Sequence, residues 1–192
     1  MTGASGAIYA TRFLARAVER FETIYLAVSE QAMQVASTEL GLDVSPATLS
    51  VERLLGRPAP NVVLLDRRSF FSPPASGSFR HDGMVIVPCS MGTAGRIAHG
   101  VSDDLVTRAA DVCLKERRRL VLVVRETPWS LVHLRNMTAL AEVGATIMPA
   151  APGFYFRPRT IEDLADHLVA RILQHLGVEQ ELVPQWQFAE EP

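Results

Sequence analysis

The charged pair Arg125-Glu126 stands directly after the apolar run Leu120-Val-Leu-Val-Val124, and charge at the end of a buried segment is costly unless it is paired or used. An arginine there can grip an anion, and a neighbouring carboxyl can give or take a proton. A plain Arg125–Glu126 salt bridge would read the same way in sequence. Arg108 and Lys115 are seven residues apart, hence on one face of a helix, and could bring two cations to one anion. The turn Gly3-Ala-Ser-Gly6 is small enough for a phosphate to approach its backbone, but it lacks the full G-x-G-x-x-G pattern and a Walker lysine. A tight turn with Ser5 as helix cap carries equal weight. In Pro88-Cys-Ser-Met-Gly-Thr93 the hydroxyls and amides suit a phosphate or the edge of a ring system. Cys89 reads as a packed thiol rather than a nucleophile, because no histidine lies near it in sequence. Arg117, Arg118 and Arg119 read as a solvated helix face with pairs such as Asp111–Lys115. The aromatics of Gly153-Phe-Tyr-Phe-Arg157 could pack in a core or wall a pocket.

Periodicity gives the elements that must hold these groups. Helices are expected over 7–19, 30–40, 92–99, 103–118, 130–143 and 161–176, and strands over 23–28, 61–65, 83–87, 120–125 and 145–148. Ser29 serves as N-cap of the second helix and Gly41 as its stop. The last helix is the clearest: Ile161, Leu164, Leu168, Ile172 and Leu176 recur at helical spacing behind the capping-box pair Thr160 and Asp163. Strands that alternate with helices, and a run apolar on both faces, imply an α/β fold: a doubly wound, mainly parallel sheet flanked by helices, Rossmann-like. Ligands in such sheets sit beyond the carboxyl ends of the strands. Residues 2–6, Ser29, residues 88–93 and residues 125–128 all fall there. The chain opens on a strand-to-helix turn with no strand before it, so the first strand is missing or truncated, or another segment takes its place. The Pro/Ser/Gly-rich stretch over 69–78 reads as a long functional loop.

The 192 residues, 48% hydrophobic and 21% charged, suit one domain over 1–192. A net charge of -2 argues against nucleic acid or an anionic membrane as the main partner, so any anion site is local. Two cysteines outside any zinc-ligand spacing make neither a disulfide framework nor a metal cluster. Apolar runs stay short of the roughly 18 residues a bilayer needs, and no export signal is visible. A cytoplasmic protein is expected.

Eight segments in order carry a resemblance: residues 2–9, Pro73-Pro-Ala-Ser-Gly-Ser78, Val87-Pro-Cys-Ser90, Thr107-Arg-Ala-Ala-Asp111, Leu114-Lys-Glu-Arg-Arg118, Arg125-Glu-Thr-Pro128, His133-Leu-Arg-Asn-Met137 and Pro152-Gly-Phe-Tyr155. Together they resemble the UbiX-type flavin prenyltransferases over nearly the whole chain. The resemblance implies an enzyme that joins a dimethylallyl group from dimethylallyl phosphate to N5 of reduced FMN and closes a ring at C6. It further implies metal-independent chemistry, a homododecamer, and delivery of prenylated FMN to a UbiD-type decarboxylase.

By the same resemblance Gly3, Ala4, Ser5, Ser29, Ser90, Met91, Gly92, Thr93 and Arg125 contact FMN. Tyr155 and Arg171 hold the prenyl phosphate, with Lys115 and Arg108 from a neighbouring subunit, while Trp186 is among the apolar residues facing the prenyl fragment. Glu126 protonates the departing phosphate, Ser5 relays a proton, and Glu39 is a second carboxylate near ring closure. Where relatives carry tryptophan before the Pro-Pro-Ala-Ser-Gly loop, this chain has Phe70-Phe71. Two other readings compete: a flavin-dependent cysteine decarboxylase of the same fold, whose Pro-Ala-Ser-Ala-Asn-Thr run is here Pro88-Cys-Ser-Met-Gly-Thr93, and a non-catalytic FMN carrier subunit.

Overall fold

A computed structural model describes residues 1–183. In chain order the elements are α1 (Ala7–Ala17), β1 (Ile24–Leu26), α2 (Glu30–Leu40), α3 (Val51–Leu55), β2 (Val62–Leu64), β3 (Met84–Cys89), α4 (Met91–Ala98), α5 (Leu105–Lys115), β4 (Leu120–Val124), α6 (Leu131–Glu142), β5 (Thr146–Pro149) and α7 (Ile161–His175). Every element expected from periodicity is present, most of them trimmed by a residue or more at their ends. Two short pieces escape that reading. α3 is five residues long, too short to show a period, although its caps are plain: the Ser50 hydroxyl accepts from the Arg53 amide and Gly56 closes it at φ +68°. A single 3₁₀ turn, Pro73–Ala75, lies within the 69–78 loop.

All strand pairs are parallel, β1 with β2 and β3 with β4 with β5. β4 shows why the sheet is covered on both faces. Val121 and Val123 pack with residues of α1, α2 and α7, whereas Leu120, Leu122 and Val124 pack with residues of α4, α5 and α6. Side chains of a strand alternate in direction, so an uninterrupted apolar run demands a helical layer on each side. Arg12 ties α1 to α7 through two 2.5 Å bonds to the Asp166 carboxylate.

The sheet is divided. Met1 and Thr2 bridge the carboxyl ends of β1 and β3: the Met1 amine donates to the Ala27 carbonyl at 2.8 Å, the Ser29 amide donates to the Met1 carbonyl, and the Thr2 amide donates to the Pro88 carbonyl. Behind Met1 the facing edges of β1 and β3 are not paired with one another. Between them lies an apolar cavity of about 220 Å³ lined by Leu14, Phe21, Tyr25, Val85 and Val87 among others. Residues 1–6 contain no strand, and the two bridging residues hold the turn against the carboxyl ends of β1 and β3. Among the described residues no helix is long and apolar enough to cross a membrane.

Candidate active site

The N-terminal turn is built around a carboxylate. Gly6 and Ala7, at the start of α1, donate their amides to Glu39 at 2.8–3.1 Å, and the Ser5 hydroxyl donates to the same group. Burial would raise the Glu39 carboxyl. Ser5, the two amides and the charge of Arg125 outweigh that and hold it below the ordinary carboxylate range. The α1 N-terminus is thus satisfied from within the chain, and Ser5 is not its cap: the N-cap is Gly6, at φ +106°, with no side-chain cap bond. Gly3 is required by close approach, since a Cβ there would lie 2.4 Å from Cβ of Gln31. Ala4 is buried beside it.

Ser29 and Ser90 cap α2 and α4, accepting from the amides of Ala32 and Thr93. Thr2 links the Ser90 loop to the N-terminus: its hydroxyl donates to the Pro88 carbonyl and accepts from the Ser90 amide, both at 2.9 Å. Met91 and Thr93 are buried, while a Cβ on Gly92 would meet nothing within 4 Å, leaving open space over that backbone. Cys89 is fully buried and its thiol is pushed up to about 12 by desolvation, which makes it inert as a nucleophile. Cys113 is likewise pushed up to about 11.

Arg125 follows β4 and joins this cluster through its charge on Glu39 and its amide bond to the Cys89 carbonyl. Its Nε is buried with no partner, a state that usually marks a ligand or an unseen water. Glu126 accepts from the Thr127 amide at 3.2 Å. Among the described residues no Arg125–Glu126 ion pair is present, so the purely structural reading of this pair fails. One guanidinium with a spare buried donor, capped helix starts and an uncovered glycine backbone fit a flat, anionic ligand.

Lys115 lies elsewhere. It ends α5, just before the chain enters the amino end of β4, the sheet edge opposite Arg125. Its Nζ contacts Glu116, and Arg108 is held by Asp111 at 2.8 Å and by the Ala75 carbonyl. The expected Asp111–Lys115 pair therefore does not form. Arg117, Arg118 and Arg119 lie beyond the end of α5, Arg117 and Arg119 exposed as expected and Arg118 half-buried. Arg118 donates to the carbonyls of Phe79 and Gly77 and Arg119 to that of Leu176, because each guanidinium reaches unpaired loop or helix-end oxygens that sequence spacing does not reveal. A Cβ on Gly77 would strike Glu116 and Lys115, so the 73–78 loop is pressed against them.

Tyr155 and Arg171 gather around His167. The Tyr155 hydroxyl is 3.1 Å from His167 Nε2; Arg171, one turn further along α7, bonds Gln174 at 2.6 Å and its charge acts on His167. The loop carrying Tyr155 leaves β5 beside Arg125, where the Ala150 amide donates to the Val124 carbonyl. Trp186 lies outside the described residues. His167 did not stand out in the sequence, although it lies four residues before Arg171; Thr2 lay within the 2–6 turn singled out there, but its link to the Ser90 loop has no mark in the spacing.

A doubly wound parallel sheet with small-residue turns, capped helix starts and, at its carboxyl edge, a half-buried guanidinium with a buried Nε defines a flavoprotein-like ligand-binding domain, and the sequence pattern of the Flavoprotein family matches residues 1–173. The chain is 44% identical over 190 residues to the flavin prenyltransferase UbiX of Pseudomonas aeruginosa, covering 97% of this chain and 91% of that one. It superposes on AnUbiX (PadA1), solved with FMN and dimethylallyl pyrophosphate, with TM-score 0.85, 42% identity and coverage of 99% and 96%. A dodecameric FMN-dependent UbiX-like decarboxylase from Escherichia coli O157:H7 gives TM-score 0.85, 39% identity and coverage of 97% and 96%. The chain belongs to the flavin prenyltransferase family.

Proposed function

We propose that this protein joins the dimethylallyl group of dimethylallyl phosphate to N5 and C6 of reduced FMN. The observation that carries the reading is Arg125, whose buried, partnerless Nε stands at the end of β4 beside Glu126 and within reach of the Ser5–Glu39 pair. When bound, reduced FMN supplies the nucleophilic ring atoms. Arg125 anchors the flavin together with the Gly3 turn, Ser29 and residues 90–93. Breaking the allylic C–O bond sends the electron pair to phosphate, so the site needs cations and a proton donor on that side. Glu126 gives the departing phosphate its proton, and Tyr155, Arg171, Lys115 and Arg108 balance its charge. Glu39, held ionised, fixes Ser5 as a hydroxyl able to pass on a proton lost from the ring.

Since Lys115 sits at the opposite sheet edge from Arg125, the reading places Lys115 and Arg108 in the site of a neighbouring copy. The dodecameric relative supports such an assembly. The product would serve a UbiD-type decarboxylase in the cytoplasm. The same-fold cysteine decarboxylase is disfavoured, because chains with 39–44% identity are UbiX-like. Anaerobic incubation with reduced FMN and dimethylallyl phosphate should give a flavin heavier by the prenyl group; FMN of unchanged mass would overturn the reading.

A further inference from the structure

We propose that His167 is a positioning residue, an uncharged imidazole that carries its proton on Nε2, donates it to Tyr155 Oη and so turns the phenol's own hydrogen toward the prenyl phosphate. The inference rests on the reading of Tyr155 as a donor-phosphate ligand. Tyr155 stands on a loop with its ring exposed, and regular structure does not fix its hydroxyl. His167 is only 9% exposed on α7. Phe156 stacks flat on it at 4.9 Å and 4°, and the Tyr155 ring meets it edge-on at 5.8 Å and 84°.

The hydrogen bonds fix the tautomer. The Gly153 amide, which can only donate, points at His167 Nδ1 at 3.3 Å, so Nδ1 presents its lone pair. A neutral ring then has its single proton on Nε2, 3.1 Å from Tyr155 Oη. A charged ring would set Nδ1–H against Gly153 N–H; burial and the nearby Arg171 also disfavour the cation. Oη therefore accepts from His167, and the phenol hydrogen is directed away from it. Gly153 completes the device: a Cβ there would lie 2.8 Å from Cε1 of Tyr155 and 3.5 Å from Nε2 of His167, so the loop closes on the imidazole only without a side chain.

The ring nitrogens report the tautomer directly. Nitrogen NMR of histidine-labelled protein should show His167 with a protonated Nε2 and a lone pair on Nδ1; the opposite tautomer or a charged ring at neutral pH overturns the proposal. Kinetics supply the functional arm. His167→Asn keeps an acceptor for Gly153 but cannot reach Tyr155, and should raise KM for dimethylallyl phosphate roughly tenfold with kcat and FMN affinity nearly unchanged. His167→Gln, whose amide NH₂ reaches the Nε2 position, should restore most of the loss. In a Tyr155→Phe background His167→Asn should add nothing. An unchanged KM in His167→Asn beside a raised KM in Tyr155→Phe overturns the positioning role. An unchanged KM in Tyr155→Phe itself removes Tyr155 from the donor site, which is a failure of the underlying reading, and the role of His167 falls with it.

Discussion

At Arg125 a guanidinium is held at the mouth of the core with one N–H buried and unpaired. A ligand anion that accepts from it recovers a charge-assisted bond, so Arg125→Ala should weaken FMN binding by about 10- to 100-fold, the equivalent of roughly 1.5–3 kcal/mol, in a flavin fluorescence titration. Glu39 adds a pH test. Its carboxyl is below the ordinary range when folded, so the stabilisation it brings is present above the unfolded carboxylate pKa and is lost as pH falls through the lower folded value. Glu39→Gln should flatten that acid limb in denaturation curves. Arg125-Glu126 was legible in sequence because charge after five apolar residues has few neutral explanations. The Ser5–Glu39 contact was not derivable from spacing, since its partners are 34 positions apart and meet only when α2 packs against α1.

Among elements, α7 and the segment leading into β3 each carry a partly or fully buried imidazole. Desolvation is the main cause that lowers His81 and His167 below the ordinary histidine value of 6.5. Just below that value the unfolded chain holds protons there that the folded chain does not. Stability therefore rises with pH through this window: the penalty is full below the lowered folded values and has gone above the ordinary one. Chemical denaturation at about pH 5 and about pH 8 should show the rise, and His81→Asn should remove part of the slope. Apolar spacing sufficed to find the long helices, because burial on one face dictates their period. α3 and the hold of Arg118 on the 77–79 carbonyls stayed hidden, since neither has a period.

At the scale of the whole molecule, Lys115 and Arg125 stand at opposite sheet edges, and a site needing both must draw them from two copies. Neither Lys115→Ala nor Arg125→Ala protein should turn over appreciably alone. Subunits of the two mixed and reassembled should regain activity at hybrid sites that carry both side chains; mixtures as inactive as their parents would return Lys115 to a purely structural role against the 73–78 loop. The layers were legible because a doubly apolar strand requires them, whereas a partner copy leaves no mark on intrachain periodicity. Proton-assisted prenyl transfer beside Arg125 can be followed in one anaerobic single-turnover experiment: formation of prenylated flavin from bound reduced FMN in the unaltered protein and in Glu126→Gln, with FMN occupancy measured alongside. Occupancy should be equal and product formation at least about 100-fold slower in Glu126→Gln; equal rates, or no prenylated flavin from the unaltered protein, would overturn proton-assisted transfer at this site.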